Sequence, residues 1–233
     1  MSLKSILKSN PKILDLASKV YNILHYSNAW KYRFGTNRIT CNGAFLKKCR
    51  FKIKGVNNIV EIGPKARFTN CTFTIYGSNC TIKIGGGSTI VSNVSFWCED
   101  NNSSIVIGQD FMMGSGHIAS TEGEKIILDD DCMLSEDIEI RNGDSHAIID
   151  DNNERINFAE PVIVGKHVWM TAHGRIMKGT EIPDNCIIGN SSLVTHKFKI
   201  RNAIYAGNPA QFVKGNVNWD KYRNKYKNSI SNE

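Results

Sequence analysis

Residues 164–194 read VGKHVWMTAHGRIMKGTEIPDNCIIGNSSLV. Taken in sixes, Val164, Met170, Ile176, Ile182, Ile188 and Val194 fall on one register without a slip. Four residues after each of the first five sits Val168, Gly174, Thr180, Cys186 or Ser192, all small or β-branched. A period of six fits neither the 3.6 of a helix nor the alternation of a lone strand. It fits a solenoid in which a short extended segment and a turn recur, three segments closing one triangular coil. Hexapeptide repeats of this kind are a parallel β-helix signature.

The register continues upstream with interruptions. Ile62 and Phe68 belong to one coil; Ile84, Ile90 and Phe96 to the next; then come Ile107, Met113 and Ala119, followed by Leu128, Leu134 and Ile140. The coil starts at 62, 84, 107 and 128 are 22, 23 and 21 residues apart, so each coil carries a few extra turn residues. Six coils at a strand spacing of roughly 4.8 Å make a prism about 30 Å tall. The expected division is a helical and strand cap over 1–58, a β-helix over 59–200, and a C-terminal turn and short basic helix over 201–233. The gap from Leu128 to Val164 holds one coil and an excursion over 145–161. The cap includes a possible short turn at 2–9 and an amphipathic helix that starts at the N-cap Asn10 and Pro11. Its apolar face, Ile13, Leu14, Leu16, Ala17, Val20, Tyr21 and Leu24, is expected to pack on the open end of the first coil, with docking on a membrane surface as the alternative. The basic run FLKKCRFKIKG reads as a strand pair leading into the solenoid, and 203–214 as a turn around Gly207 and Pro209.

Mean hydropathy is −0.29 and no apolar run approaches the ~18 residues of a membrane span. With no apolar signal segment at its start, the chain is expected in the cytoplasm. Seven cysteines without a CxxC pair fit reduced thiols. Net charge is +7 but unevenly spread: residues 1–54 carry 12 Lys/Arg against one acid, 55–196 carry 9 against 19, and 197–233 carry 8 against 2. Such basic ends attract a polyanion: a nucleotide cofactor, an acidic glycan or the anionic face of a membrane. No nucleic-acid-binding motif is present.

A long excursion from a tight repeat marks a functional place. His146 stands where IRNGDSHAIIDDNNERINFAEP departs, free to face a groove, and histidine is the usual general base near neutral pH. Asp144, Glu139 or a backbone carbonyl are the candidates to orient it. The other histidines, 25, 117, 167, 173 and 196, form no convergent trio on this register, so no metal site is expected. Trp169, at the fifth place after Val164, is assigned to a coil corner, either packing against a neighbouring subunit or forming a platform for a sugar ring or acetyl group. There is no GxSxG elbow, P-loop or GxGxxG after a strand. Gly85-Gly86-Gly87 reads as a corner that needs positive φ.

The blocks VIVGKHVWMTAHGRIMKGTEIPDNCIIGNSSLVTHK and AIYAGNPAQFVK resemble the left-handed β-helix, hexapeptide-repeat acyltransferases. CMLSEDIEIRNGDSHAIID, NNERIN and VIVGKHVW are similar to bacterial capsule enzymes that O-acetylate sialic acid or polysialic acid. The resemblance implies a left-handed coil, acetyl-CoA as cosubstrate, no metal, and a homotrimer with sites between neighbouring prisms. It implies that His146 is the general base and Trp169 the tryptophan beside it. Thr171, Ala172, Gly189, Asn190 and Ser191 then match the wall along the pantetheine arm, and Thr195, Lys197, Ala206, Gly207 and Lys214 the region of the nucleotide. This chain departs from the family at Met170-Thr171, where an aliphatic residue and Gly are usual, and at His196-Lys197, where Lys-Asp is usual. Acetylation of another O-antigen or amino sugar, and a non-catalytic β-helix scaffold or binding module, are the alternatives; the excursion argues against the scaffold.

Overall fold

The computed structural model describes residues 10–25, 27–32, 35–41 and 43–225; the turn expected at 2–9 lies outside them. The chain forms a parallel β-solenoid with three faces, matching a left-handed β-helix. Sheet A joins 38–40, 59–62, 81–84, 104–107, 125–128, 162–164 and 181–182, each strand parallel to the next. Sheet B runs from Phe45–Lys47 to Ile187–Ile188 in the same way and ends in a hairpin, 204–207 and 210–214. Sheet C runs from Arg50–Lys54 to Leu193–Val194.

The first coil therefore starts at Arg38 and includes the run FLKKCRFKIKG as its own second and third sides. The boundary expected at 59 falls inside the solenoid, and seven strands stand in each of sheets A and C where six coils were expected. At the other end 204–207 prolongs sheet B past the boundary expected at 200.

Aligned inward residues build the core. Ile62, Ile84, Ile107, Leu128, Val164 and Ile182 are consecutive partners in sheet A and are all buried. Phe51, Phe73 and Phe96 stack in sheet C at centroid spacings of 4.6 and 5.0 Å. The small inward places hold as expected: Val168, Thr180, Cys186 and Ser192 are buried, as is Cys132. Burial pushes the Cys132 and Cys186 thiols up to about 12 and about 11. Two expected core residues are one place off. Val91, not Ile90, pairs with Phe68 and points inward, while Ile90 is exposed. Ile118, not Ala119, takes the place beside Phe96. The step from Ile84 to Val91 is seven residues and that from Met113 to Ile118 is five, so one corner carries an extra residue and the other is one short.

Of the three glycines at 85–87, only Gly87 has positive φ (77°). Gly85 and Gly86 are needed for another reason: a Cβ would lie 2.5 Å from Gln109 N and 2.3 Å from Pro64 O of the adjoining coils.

Helix α1, Pro11–Leu24, caps the open end. Asn10 Oδ1 accepts from Lys12 N and Ile13 N, as its N-cap position requires. The docking face is polar, contrary to expectation. Ser18 Oγ accepts from Gly43 N (3.0 Å), Asn22 Oδ1 accepts from Leu46 N (2.7 Å), and Asn22 Nδ2 donates to Ala44 O (3.1 Å). Asn28 does the same for sheet C, accepting from Phe51 N and donating to Phe51 O. An edge strand has unpaired N–H and C=O groups, so an amide side chain satisfies it better than an apolar one. The apolar face of α1 consequently points outward.

The basic helix expected at 218–229 is, within the described residues, an irregular strap ending in a single 3₁₀ turn, Arg223–Lys225. Trp219 anchors it. Its ring stacks on His167 at 4.1 Å, its Nε1 donates to His167 O (2.8 Å), and Lys221 Nζ pairs with Asp131.

Candidate functional site

One sheet-C strand ends at Arg141 and the chain rejoins sheet A at Val162, so the 145–161 excursion stands on the edge between sheets C and A. It is a small hairpin: Ile149 and Arg155 bridge antiparallel, and Ile156 N donates to Ile148 O. Buried Asn157 organises its base. Its Oδ1 accepts from Ile148 N (2.7 Å), while its Nδ2 donates to Asp144 Oδ2 (2.9 Å) and to His146 O (2.8 Å). Lys178 Nζ donates to Asp144 Oδ2 at 2.5 Å, and Arg155 Nη2 to Glu122 Oε1 at 2.5 Å. The Lys178 ammonium holds the Asp144 carboxyl below its usual range, and Arg155 does the same for Glu122.

This frame fixes the backbone of His146 and leaves its imidazole exposed. Neither expected orienting carboxylate reaches that ring. Asp144 is engaged by Lys178 and Asn157, and Glu139 by Arg175 (2.8 Å) and Arg141 (3.7 Å). Ile148, Ile149, Ile156 and Phe158 of the same hairpin are exposed as well.

Trp169 lies elsewhere. It belongs to sheet B, paired with Met133 and Ile187, on a flat face and not at a corner. The corner is 165–168, where His167 takes φ 53°. Period-six counting misplaces Trp169 because the residue before the inward Met170 is already strand. The Trp169 ring is half-buried beside Trp219 (5.9 Å), and its Nε1 is buried without an acceptor among the described residues.

Seven of the residues matched to the cofactor wall come together on the edge between sheets B and C. Thr171 and Ala172 follow one sheet-B strand, Gly189, Asn190 and Ser191 the next, and Ala206 and Gly207 close the last. Ser191 N donates to Ala172 O (3.0 Å), Gly189 N to Tyr205 O (2.8 Å) and Gly207 N to Ser192 Oγ (3.1 Å). A Cβ on Gly189 would stand 2.7 Å from Ala206 Cβ, so that glycine lets the terminal hairpin approach. The unusual Thr171 turns its hydroxyl to Ile188 O of the next coil (2.9 Å).

The other three do not join them. Thr195 and Lys197 follow the last sheet-C strand, on the same edge as the excursion, and Lys197 pairs with Glu181. Lys214 ends the outermost strand of sheet B opposite Ile204. Within one chain, therefore, His146 occupies the C–A edge, while Trp169 and the seven-residue wall occupy sheet B and the B–C edge. Sequence reasoning missed Asn157, Lys178, Arg155 and Trp219; the Asn–Lys–Asp frame has no sequence spacing that would announce it.

No protein-family model matches the chain. A polysialic acid O-acetyltransferase of Neisseria meningitidis is 37% identical over 169 residues, covering 72% of this chain and 77% of the relative. The crystal structure of the polysialic acid O-acetyltransferase OatWY superposes with a TM-score of 0.75 at 32% identity, covering 84% of this chain and 92% of that one. The polySia-specific acetyltransferase NeuO shares the fold at 22% identity with a TM-score of 0.57, covering 81% and 90% of the two chains. A six-residue solenoid with an excursion hairpin defines an acyltransferase of the hexapeptide-repeat class. Within that class the chain belongs to the family of the polysialic acid O-acetyltransferases.

Proposed function

We propose that the protein transfers the acetyl group of acetyl-CoA to a hydroxyl of a sialic acid polymer of a bacterial capsule, at three sites shared between neighbouring copies of a homotrimer. The 37% identity to the meningococcal enzyme supports the substrate class most directly. His146 Nε2 or Nδ1 removes the proton of the sugar hydroxyl as that oxygen attacks the thioester carbonyl. The tetrahedral intermediate collapses, the C–S bond breaks, and the imidazolium returns the proton to the leaving thiolate, so the histidine ends as it began. A backbone N–H near Trp169 receives the developing oxyanion.

The separation of the two half-sites supports the sharing. His146 cannot complete a pocket with Trp169 on another face of its own prism, whereas three prisms around an axis bring unlike edges together. The exposed aliphatic and phenyl groups of the excursion then find cover. So does the outward sheet-B column Ile90, Met112, Met133, Trp169 and Ile187. A substrate or neighbouring copy also supplies the acceptor that buried Trp169 Nε1 lacks; such a donor left unmet costs about 1–3 kcal/mol. The wall of Thr171, Ala172, Gly189, Asn190 and Ser191 flanks the pantetheine arm.

The test is thiol release from acetyl-CoA with polysialic acid as acceptor. The wild-type chain is expected to turn over and His146→Ala to lose about 10²–10⁴-fold with an unchanged melting temperature. Full turnover by His146→Ala, or no transfer to any sialylated acceptor by the wild type, contradicts the proposal.

A further inference from the structure

Helix α1 is docked inside out. Leu14, Ser18 and Asn22 face the solenoid, and the opposite face shows Ile13, Leu16, Val20, Ile23 and Leu24 to solvent. Leu16 is 65% exposed, Ile23 61% and Leu24 67%. Three and four residues apart, these side chains form one continuous stripe along the helix. Because the polar face seals the open end of the first coil, the stripe points away from the body of the solenoid.

The cations around it differ from most of those on the later coils. From residue 83 onward, Lys83, Arg141, Arg155, Lys166, Arg175, Lys178, Lys197 and Lys221 are each in an ion pair, while exposed Lys125, Lys199, Arg201 and Lys214 are without one among the described residues. On the first two coils Arg38, Lys47, Lys48, Arg50, Lys52, Lys65 and Arg67 are exposed, and none is paired with a carboxylate among the described residues. Lys54 lies over the Tyr76 ring instead. This end of the prism thus joins an aliphatic stripe to a field of uncompensated positive charge. Among the described residues no helix is long and apolar enough to cross a membrane.

We infer that the N-terminal end of the solenoid docks on an anionic lipid bilayer, with the outward stripe of α1 entering the headgroup–acyl boundary and the first-coil cations lying on the headgroups. Apolar burial and basic charge together are the two signals of reversible interfacial anchoring. A soluble acidic polymer would engage the cations, but it gives no reason for five aliphatic side chains to face outward. The prism then stands end-on. Trp169 is five strand steps above Phe45 in sheet B, which holds the proposed site about 25 Å above the first coil, with α1 between that coil and the bilayer.

Co-sedimentation of the full chain with lipid vesicles tests this. The wild type is expected to bind phosphatidylcholine vesicles containing phosphatidylglycerol, to ignore phosphatidylcholine alone, and to be released by high salt. The combined variant Leu16→Ser, Val20→Ser, Ile23→Ser should bind about tenfold or more weakly while keeping its melting temperature and its mass by light scattering. Lys48→Gln, Arg50→Gln, Lys52→Gln leaves α1 untouched and should also lose binding. Equal binding to both vesicle types, or undiminished binding by both variants, overturns the inference. So does a smaller mass for the serine variant, which would mean that another copy covers the stripe. Binding of soluble polysialic acid at the first coil without vesicle binding overturns it as well.

Discussion

Asp144 illustrates how single residues hold the candidate base without touching its ring. Its carboxylate accepts from Lys178 and Asn157, and Asn157 in turn grips the carbonyl of His146. A carboxylate whose folded pKa is depressed contributes stability above its unfolded value, and that contribution is lost as pH falls through the folded value. Asp144→Asn is therefore expected to lower the melting temperature at pH 7 by roughly 2–4 °C, equivalent to about 1 kcal/mol. The gap to wild type should begin to narrow as pH drops below the usual carboxylate value of about 3.9 and close below the depressed folded value. A gap that persists in acid would show that Asp144 acts through its shape and not its charge. His146 is legible as a candidate because it stands where a long excursion leaves a tight repeat. Its neighbours were not legible: Lys178 lies 34 residues from Asp144 and meets it only because coils stack.

At the scale of the coil, corners and close approaches set the fold. Among non-glycine residues, left-handed φ falls mostly on Asn and Asp, among them Asn57, Asn70, Asn79, Asn93, Asp110, Asp137 and Asn185. These residues tolerate that region. Reading them alongside the aliphatic period would have located the first coil and the shifted counts at Val91 and Ile118. The period itself is clearest from Val164 onward, where no corner carries an extra residue. Gly77 shows the other constraint, since a Cβ there would lie 2.1 Å from Asp100 O. Gly77→Ala should cost about 1–3 kcal/mol by overpacking, seen as a fall of several degrees in melting temperature. Gly215→Ala, where the nearest atom is 3.5 Å away on the Phe212 ring, should leave it unchanged. The strap behaves differently from the coils because it is held by a few contacts, chiefly those of Trp219, and not by strand pairing. Trp219→Ala should raise deuterium uptake over 215–222 while protection of sheet B stays as it was. Loss of protection throughout the solenoid would make the strap part of the core. The polar seal made by Ser18, Asn22 and Asn28 was hidden for a similar reason: an apolar helix face reads as a buried one until the unpaired edge beneath it is seen.

For the whole molecule, the family and the β-helix follow from the repeat, and the split of the site follows from its geometry. His146 rises from the C–A edge and Trp169 from sheet B, so the proposed chemistry requires assembly to bring the two together. The most direct measurement mixes two inactive proteins. His146→Ala and Trp169→Ala subunits are co-refolded in equal amounts and assayed with acetyl-CoA and polysialic acid. If each site takes its histidine from one copy and its tryptophan from the next, random cyclic assembly gives about one site in four with both groups intact. The mixture should then recover about a quarter of wild-type activity. If the mixture stays at the level of the separate variants, each site is built within a single chain and the shared-site account is wrong.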